Sequence, residues 1–218
     1  MEKSIKSNIA VIGLGNIGKV VAGNLVNNNR SVIVADRNVE KANALAIQLG
    51  ESAQPMSIAE AITKADIIVM AVWFGAIKEI FHQYEVLLQG KIIVDPSNPI
   101  APNEKGGFDK IIAENESAGQ INASLLPQGA KLAKALGTLG AASLANAANQ
   151  QPEAAVLFYA TDYTDINENI EQLIRDNGFE PVYVGGLEHS IRIEVFGDLH
   201  EFGALGKTVT LAEAKEKM

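Results

Sequence analysis

The residues best suited to chemistry in this sequence lie near its N-terminus, in the turn Gly13-Leu14-Gly15-Asn16-Ile17-Gly18. An apolar run, residues 9–12, precedes this turn, and apolar residues at helical spacing follow it, which predicts a strand, a glycine turn and a helix. The first glycine allows a tight turn, the second lets a pyrophosphate approach the backbone, and the third lets the helix pack closely on the strand. The N-terminus of the helix offers unpaired N–H groups to phosphate oxygens. With these flanks the motif predicts a dinucleotide-binding site.

A charged pair follows the next β-branched run, residues 31–35, which predicts a second strand. This pair is Asp36-Arg37. Asp36 lies 18 residues after Gly18, about where the adenine ribose of a dinucleotide is recognised. We therefore expect Asp36 to lie at the adenosine end of the site.

Two further strands end in residues that could border a bound ligand. Residues 66–72 form a near-continuous apolar run, typical of a strand that is buried on both faces of a parallel sheet. Because ligands bind beyond the carboxyl ends of such strands, Ala71, Val72 and Trp73 are predicted cofactor contacts. The aromatic pair Trp73-Phe74 could cover a cofactor, or it could pack in the core or against a helix.

The next buried strand, residues 91–94, leads into Asp95-Pro96-Ser97-Asn98-Pro99. These are ordinary turn residues, but their place at a strand's carboxyl end favours a role in the site. Residues 102–107 form a polar loop with glycine that could act as a flap.

The rest of the chain alternates between helical and strand patterns, which predicts an α/β fold with a doubly wound, mostly parallel sheet. Residues 131–136 fit a helix or a strand equally well. With no linker in the sequence, we expect one domain over residues 1–218, with a dinucleotide-binding core at about 7–126 and site-closing elements at about 127–218. The predicted helices are 39–49, 57–64, 76–88, 117–126, 138–148 and 165–177, and the later strands are 154–160 and 181–184, the last at an edge because of Pro181.

Composition excludes several classes of function. The chain has 218 residues, of which 47% are apolar, and a net charge of -8, which argues against a broad nucleic-acid surface. It has no cysteine, so disulfides and thiol catalysis are excluded. Residues 1–7 lack the apolar core of a secretory signal, and no apolar run reaches the roughly 18 residues of a membrane span. We therefore expect a cytoplasmic protein that binds neither membrane nor nucleic acid.

No catalytic residue and no metal site is predicted. His189 and His200 are 11 residues apart and belong to no metal-binding motif, and packing explains them better than acid–base chemistry. Hydride transfer needs no such groups, because a nicotinamide and an acceptor ring can react when they are held in contact. The sparse set of reactive groups favours a reductase that acts on a second ring. The alternatives are a dinucleotide-binding or redox-sensing protein without turnover, and a dehydrogenase of a small hydroxy or amino acid.

Several motifs in this order resemble the family of NADPH-dependent coenzyme F420 reductases. They include the glycine turn, Arg37 with Lys41 four residues later, and the turn at residues 95–99. They also include A-K-A-L-G-T-L-G at residues 133–140 and G-D-L-H-E-F-G-A-L-G at residues 197–206. The resemblance implies a Rossmann domain with a small C-terminal extension, and a strand at residues 131–136. It also implies hydride exchange between NADP(H) and a small-molecule acceptor, F420 or a flavin, in a homodimer.

The resemblance also assigns residues to the cofactor. Arg37 and Lys41 match positions that contact the 2′-phosphate of NADP, and Asn98, Pro99 and Thr138 match positions around the nicotinamide. The family commonly has Ser or Thr where this chain has Asp36, whose carboxylate can bind a free 2′-hydroxyl but repels a 2′-phosphate. Two cations against one anion favour NADP, and NAD is the alternative.

Overall fold

A computed structural model describes residues 7–218 of the chain. The expectation that residues 1–7 contain no secretory signal therefore concerns residues that lie, apart from Ser7, outside the described part. None of the helices between residues 7 and 218 combines the length and the apolar character that a bilayer crossing requires.

The elements follow the predicted alternation. The strands are β1 (Ile9–Ile12), β2 (Val32–Ala35), β3 (Ala53–Pro55), β4 (Ile67–Met70), β5 (Ile92–Asp95), β6 (Ile100–Pro102), β7 (Phe108–Lys110), β8 (Lys131–Lys134), β9 (Val156–Tyr159) and β10 (Glu180–Tyr183). The α-helices are α1 (Asn16–Asn27), α2 (Val39–Leu49), α3 (Ile58–Lys64), α4 (Phe74–Gln83), α5 (Glu85–Leu88), α6 (Ala118–Ala123), α7 (Ala141–Asn146), α8 (Asn167–Asp176), α9 (Ser190–Ile193) and α10 (Leu211–Lys215), with 3₁₀ turns at Thr164–Ile166 and Leu187–His189.

Within residues 7–218, six strands form a parallel sheet in the order β3-β2-β1-β4-β5-β8. The order reverses between β1 and β4, and in such sheets ligands bind at the carboxyl ends of the strands beside this switch point. The predicted α/β fold with a doubly wound parallel sheet is confirmed. Residues 131–136 contain a strand, as the resemblance implied.

The sheet is buried on both faces because alternate side chains of each strand point to opposite sides. In β1, Ile9 and Val11 join one apolar cluster, whereas Ala10 and Ile12 join the other. Helices α1 and α8 cover the first face, and helices α3 and α4 cover the second. Strands read as continuous apolar runs for this reason, and their carboxyl ends are left to carry the polar residues.

Where the sequence contains a clear capping or stop signal, the helix begins or ends at the predicted residue. Helix α2 spans the predicted residues, and Gly50 ends it with φ of +80°. Helix α3 begins with the predicted capping box, in which Ser57 and Glu60 bond each other's backbone N–H groups. The predicted helix 76–88 instead begins at Phe74 and is interrupted at Tyr84.

Strand β3, the hairpin β6–β7 and the separate pairing of the predicted strands β9 and β10 were not predicted. β3 has only three residues and no apolar run, and it pairs with β2 at the edge of the sheet. β6 and β7 form an antiparallel hairpin whose turn contains the predicted polar loop. β9 and β10 form a separate parallel pair, joined to the main sheet by an antiparallel bridge between Lys134 and Ala160. Pro181 lies at an edge, as predicted, because β10 pairs only with β9 among the described strands.

Candidate dinucleotide-binding site

The glycine turn is packed against the ends of two neighbouring strands. Gly13 has φ of +89°, and its N–H donates to Ala35 O at 2.9 Å. A Cβ atom on Gly13 would lie 2.5 Å from Ala71 O, and one on Gly18 would overlap Gly13 O. Gly13 and Gly18 are therefore required by the packing of the turn itself.

Gly15 differs from these two glycines, because a Cβ atom built on it meets no atom within 4 Å. Gly15 and Asn16 are exposed, and helix α1 starts there without a side-chain cap and without an acidic residue in its first turn. The N-terminus of a twelve-residue helix is thus open to an anion. Open space beside an uncapped helix start fits the pyrophosphate of a dinucleotide. Leu14 is fully buried and Ile17 is half-buried, so their side chains contribute little surface to this space.

Asp36 follows β2 and is bonded to the glycine turn. Its Oδ2 accepts from the Leu14 N–H at 2.8 Å, its Oδ1 accepts from the Asn38 N–H at 3.0 Å, and Lys41 Nζ lies 3.6 Å from Oδ2. Burial works against ionisation of Asp36, but the two backbone hydrogen bonds and Lys41 outweigh it and lower the pKa of Asp36. The structure thus brings Asp36 and Lys41 together. Arg37 is exposed and makes no side-chain hydrogen bond or ion pair within residues 7–218.

The residues after β4 complete this end of the site. Ala71 and Val72 are half-buried and contact the position where Gly13 would carry a side chain. Trp73 is 61% exposed and its ring lies 6.5 Å from that of Phe108 in β7. Trp73 is therefore not a core residue, and the hairpin β6–β7 packs beside it at the carboxyl edge of the sheet.

A buried ion pair lies at the ends of β5 and β8, and sequence reasoning missed it. Asp95 and Lys134 are register partners in these strands, with Oδ2 and Nζ 3.1 Å apart and both side chains at most 3% exposed. Lys134 also donates to Ser97 O, and Asn122 Nδ2 donates to Asp95 Oδ2 at 2.8 Å. These bonds link the ends of β5 and β8 to the turn that follows β5. The only sequence signal is a Lys in an apolar strand, and it predicts an ion pair only when the neighbouring strand is known.

Polar residues assigned to the nicotinamide end surround that turn. Asn98 Nδ2 donates to Gly137 O at 3.1 Å, and Asn98 Oδ1 accepts from the Val195 N–H at 2.7 Å. Thr138 is 2% exposed, and its Oγ1 has no hydrogen-bond partner within residues 7–218; the same holds for Ser97 Oγ. Buried hydroxyls without a partner are costly, so a bound polar group such as a carboxamide would satisfy them. Pro99 is buried beside them.

His200 is a packed neutral side chain. Its Nδ1 accepts from the Phe202 N–H at 2.9 Å, so Nε2 carries the proton that it shares with Gly137 O at 3.0 Å. Burial lowers the pKa of His200 to about 4. Glu194, also buried, accepts from the Ala118 and Gly119 N–H groups at 2.9 Å, and burial raises its pKa. His200 therefore has no free nitrogen for acid–base chemistry.

The sheet order and the open glycine turn define a Rossmann-type dinucleotide-binding protein. Residues 8–99 match the family model described as NADP oxidoreductase, coenzyme F420-dependent. The resemblance inferred from the motifs is thereby confirmed.

Two solved structures share this fold, and one further protein is similar in sequence. A hypothetical protein from Sinorhizobium meliloti is 27% identical, with a TM-score of 0.81 over 94% of this chain and 95% of that one. A candidate F420-dependent NADP reductase from Arthrobacter sp. FB24 is 21% identical, with a TM-score of 0.71 over 84% of this chain and 87% of that one. The metalloreductase STEAP3 of Rattus norvegicus is 26% identical over 189 residues. That match covers 85% of this chain, which spans only 35% of the rat protein.

Proposed function

We propose that this protein transfers hydride between NADP(H) and a flavin-like acceptor, either coenzyme F420 or a flavin. The observation that carries the acceptor class is an exposed aromatic pair, formed by Trp73, which follows β4, and Phe108 in β7. Exposed aromatic side chains beside a cofactor site suit a flat ring, because stacking adds to the free energy of apolar burial. The candidate reductase from Arthrobacter supports the same class by its name.

Different residues of the chain would bind different parts of the cofactor. The backbone N–H groups at the start of α1 would bind the pyrophosphate, and Arg37 would pair with the 2′-phosphate. The hydroxyls of Thr138 and Ser97 would bond the carboxamide of the nicotinamide, which supplies the hydride when bound. These contacts would orient one face of the nicotinamide ring towards Trp73. Catalysis would then consist of positioning the two rings and excluding water.

The state of His200 argues against the alternative of a hydroxy-acid or amino-acid dehydrogenase. Such an enzyme needs a group that exchanges a proton with the substrate. Both nitrogens of His200 are bonded inside the chain, and its pKa near 4 keeps it neutral at physiological pH. Transfer between two rings needs no such residue.

The test is stopped-flow oxidation of NADPH and NADH against F420, FMN, FAD, riboflavin and ferric chelates. We expect rapid oxidation of NADPH with one of the ring acceptors. Trp73→Ala should raise the KM for that acceptor severalfold and raise the Kd of NADPH by a smaller factor, with Val86→Ala, an exposed apolar side chain on α5, as a matched control. A flat trace with every acceptor would instead favour a dinucleotide-binding protein without turnover, and reaction with ferric chelates alone would favour a metal acceptor.

We further propose that the protein is a cytoplasmic homodimer. The support for the dimer is the resemblance to the reductase family. Light scattering should then give twice the chain mass of 23.2 kDa. A monomer mass at micromolar concentration would contradict this proposal.

A further inference from the structure

We propose that Asp36 acts on cofactor binding by holding the glycine turn, with Lys41 as its counter-charge, and that it does not read the adenine ribose. This inference rests on the proposed binding of NADP(H). It concerns a position at which the family that the chain resembles commonly has Ser or Thr.

The first reason is that the carboxylate is already occupied. One oxygen accepts from the Leu14 N–H at 2.8 Å and the other from the Asn38 N–H at 3.0 Å. The side chain of Asp36 is only 11% exposed. A carboxylate that reads a ribose has to present an oxygen to the ligand, and most of this one faces the chain.

The second reason is the place of its partner within the turn. The N–H groups of Gly13 and Leu14 follow one another, and both donate to the end of β2: to Ala35 O at 2.9 Å and to Asp36 Oδ2 at 2.8 Å. These two bonds dock the turn onto the neighbouring strand. Without Asp36 the Leu14 N–H would lose its partner, and the backbone that should receive a pyrophosphate would be less well fixed.

The third reason is the distribution of charge. Lys41 Nζ lies 3.6 Å from Asp36 Oδ2, so the carboxylate that would repel a 2′-phosphate has a cation beside it. Arg37 is exposed and makes no ion pair within residues 7–218. Arg37 is thus the cation that remains to bind the phosphate. Lys41 assists phosphate binding indirectly, because its charge offsets the negative charge of Asp36.

Calorimetry with NADPH and NADH tests the role of Asp36. Asp36→Ala should raise the Kd of both nucleotides by about tenfold, which corresponds to the loss of one hydrogen bond. The ratio of the two Kd values should stay unchanged within about threefold. Asp36→Asn, which keeps an oxygen for the Leu14 N–H, should bind both more tightly than Asp36→Ala. In the ligand-free protein, amide exchange at Leu14 should be faster in Asp36→Ala than in the parent. Loss of NADH binding with NADPH binding kept or improved would overturn the inference, as would unchanged exchange at Leu14.

A double-mutant cycle tests the role of Lys41. Lys41→Met should weaken NADPH about threefold in the parent and have no effect in the Asp36→Asn background, because no charge remains to be offset. An equal loss in both backgrounds would mean that Lys41 contacts the phosphate itself, and would overturn this part of the inference. A parent that binds NADH alone would refute the NADP assignment while the Leu14 exchange result still decides the role of Asp36. A parent that binds neither nucleotide would overturn the proposed function and this inference with it.

Discussion

Gly15 and Gly18 lie one helical turn apart, yet a side chain at each has a different consequence. We predict that Gly15→Val abolishes NADPH binding and leaves stability nearly unchanged, because the added carbons enter open space where the pyrophosphate belongs. Gly18→Ala should instead lower the free energy of unfolding by roughly 2–4 kcal/mol, because its Cβ would overlap Gly13 O. Calorimetry and urea unfolding of both variants check this. Gly15→Val binding as tightly as the parent would refute the site.

Arg37 should decide the choice of cofactor at the level of a single side chain. A charge-assisted hydrogen bond contributes roughly 1.5–3 kcal/mol, so Arg37→Ala should raise the Kd of NADPH by about one to two powers of ten. NADH lacks the phosphate and should be nearly unaffected. Lys215→Ala, an exposed cation on α10, is the control for the loss of a positive charge. Equal binding of NADPH by parent and Arg37→Ala would leave NAD as the cofactor.

His200 should make stability depend on pH. Burial lowers its folded pKa to about 4, below the usual value near 6.5, so the unfolded chain binds more protons between these pH values. Stability is therefore lost as the pH falls through this window, by about 2 kcal/mol between pH 7 and pH 5 from His200 alone. His200→Gln should be destabilised less than the parent by that change of pH. Glu194, whose raised pKa acts in the opposite sense, is present in both proteins and cancels in the comparison. Parallel pH profiles of urea unfolding would contradict the assignment.

At the scale of elements, the carboxyl end of the sheet is tied together by the pair between β5 and β8. Lys134→Met would leave the buried Asp95 carboxylate without its cation, so we expect a loss of about 3–5 kcal/mol in the free energy of unfolding. The double variant Lys134→Met with Asp95→Asn removes both charges and should recover part of that loss. Chemical unfolding of the parent, of the single variants Lys134→Met and Asp95→Asn, and of the double variant measures the coupling. A double variant no more stable than Lys134→Met would mean that the charges are not coupled.

Three segments lack a local pattern that predicts their secondary structure. Residues 131–136 alternate too little to distinguish a strand from a helix, and only pairing with β5 makes residues 131–134 a strand. The hairpin β6–β7 has three-residue strands that carry no clear alternation. Helix α7 begins at Ala141, later than the predicted residue 138, because residues 137–140 form the turn that meets the C-terminal segment.

At the scale of the whole molecule, Arg30 joins the two predicted parts of the chain. Its Nε lies 2.7 Å from Asp176 Oδ2 at the end of α8, and both side chains are at most 12% exposed. We expect Arg30→Met to destabilise the whole chain in a single transition, seen at the same urea concentration by helical circular dichroism and by the fluorescence of the sole tryptophan, Trp73. Lys64→Met, an exposed cation at the end of α3, is the control. Separate transitions for the two probes would contradict the prediction of one domain.

The sequence by itself determined the features that depend on neighbouring residues. The glycine turn, the capping box of α3, the end of α2 at Gly50 and the buried parallel strands all follow from short-range rules, and the structure agrees with them. The placement of the predicted site residues at the carboxyl ends of the strands followed from the same patterns, and their role in binding stays a prediction. Cytoplasmic location, the homodimer and the acceptor stay predictions.

Only the tertiary structure decided which side chains meet. Asp36 was predicted to lie at the adenosine end of the site, but its bond to Leu14, across 22 residues of sequence, was not predicted. Asp95 and Lys134 are 39 residues apart and become neighbours only through the pairing of their strands. Asn98 joins Gly137 to Val195, and His200 loses its acid–base capacity because it is buried against Gly137. Partners at such separations depend on strand order and packing, which local sequence patterns do not encode.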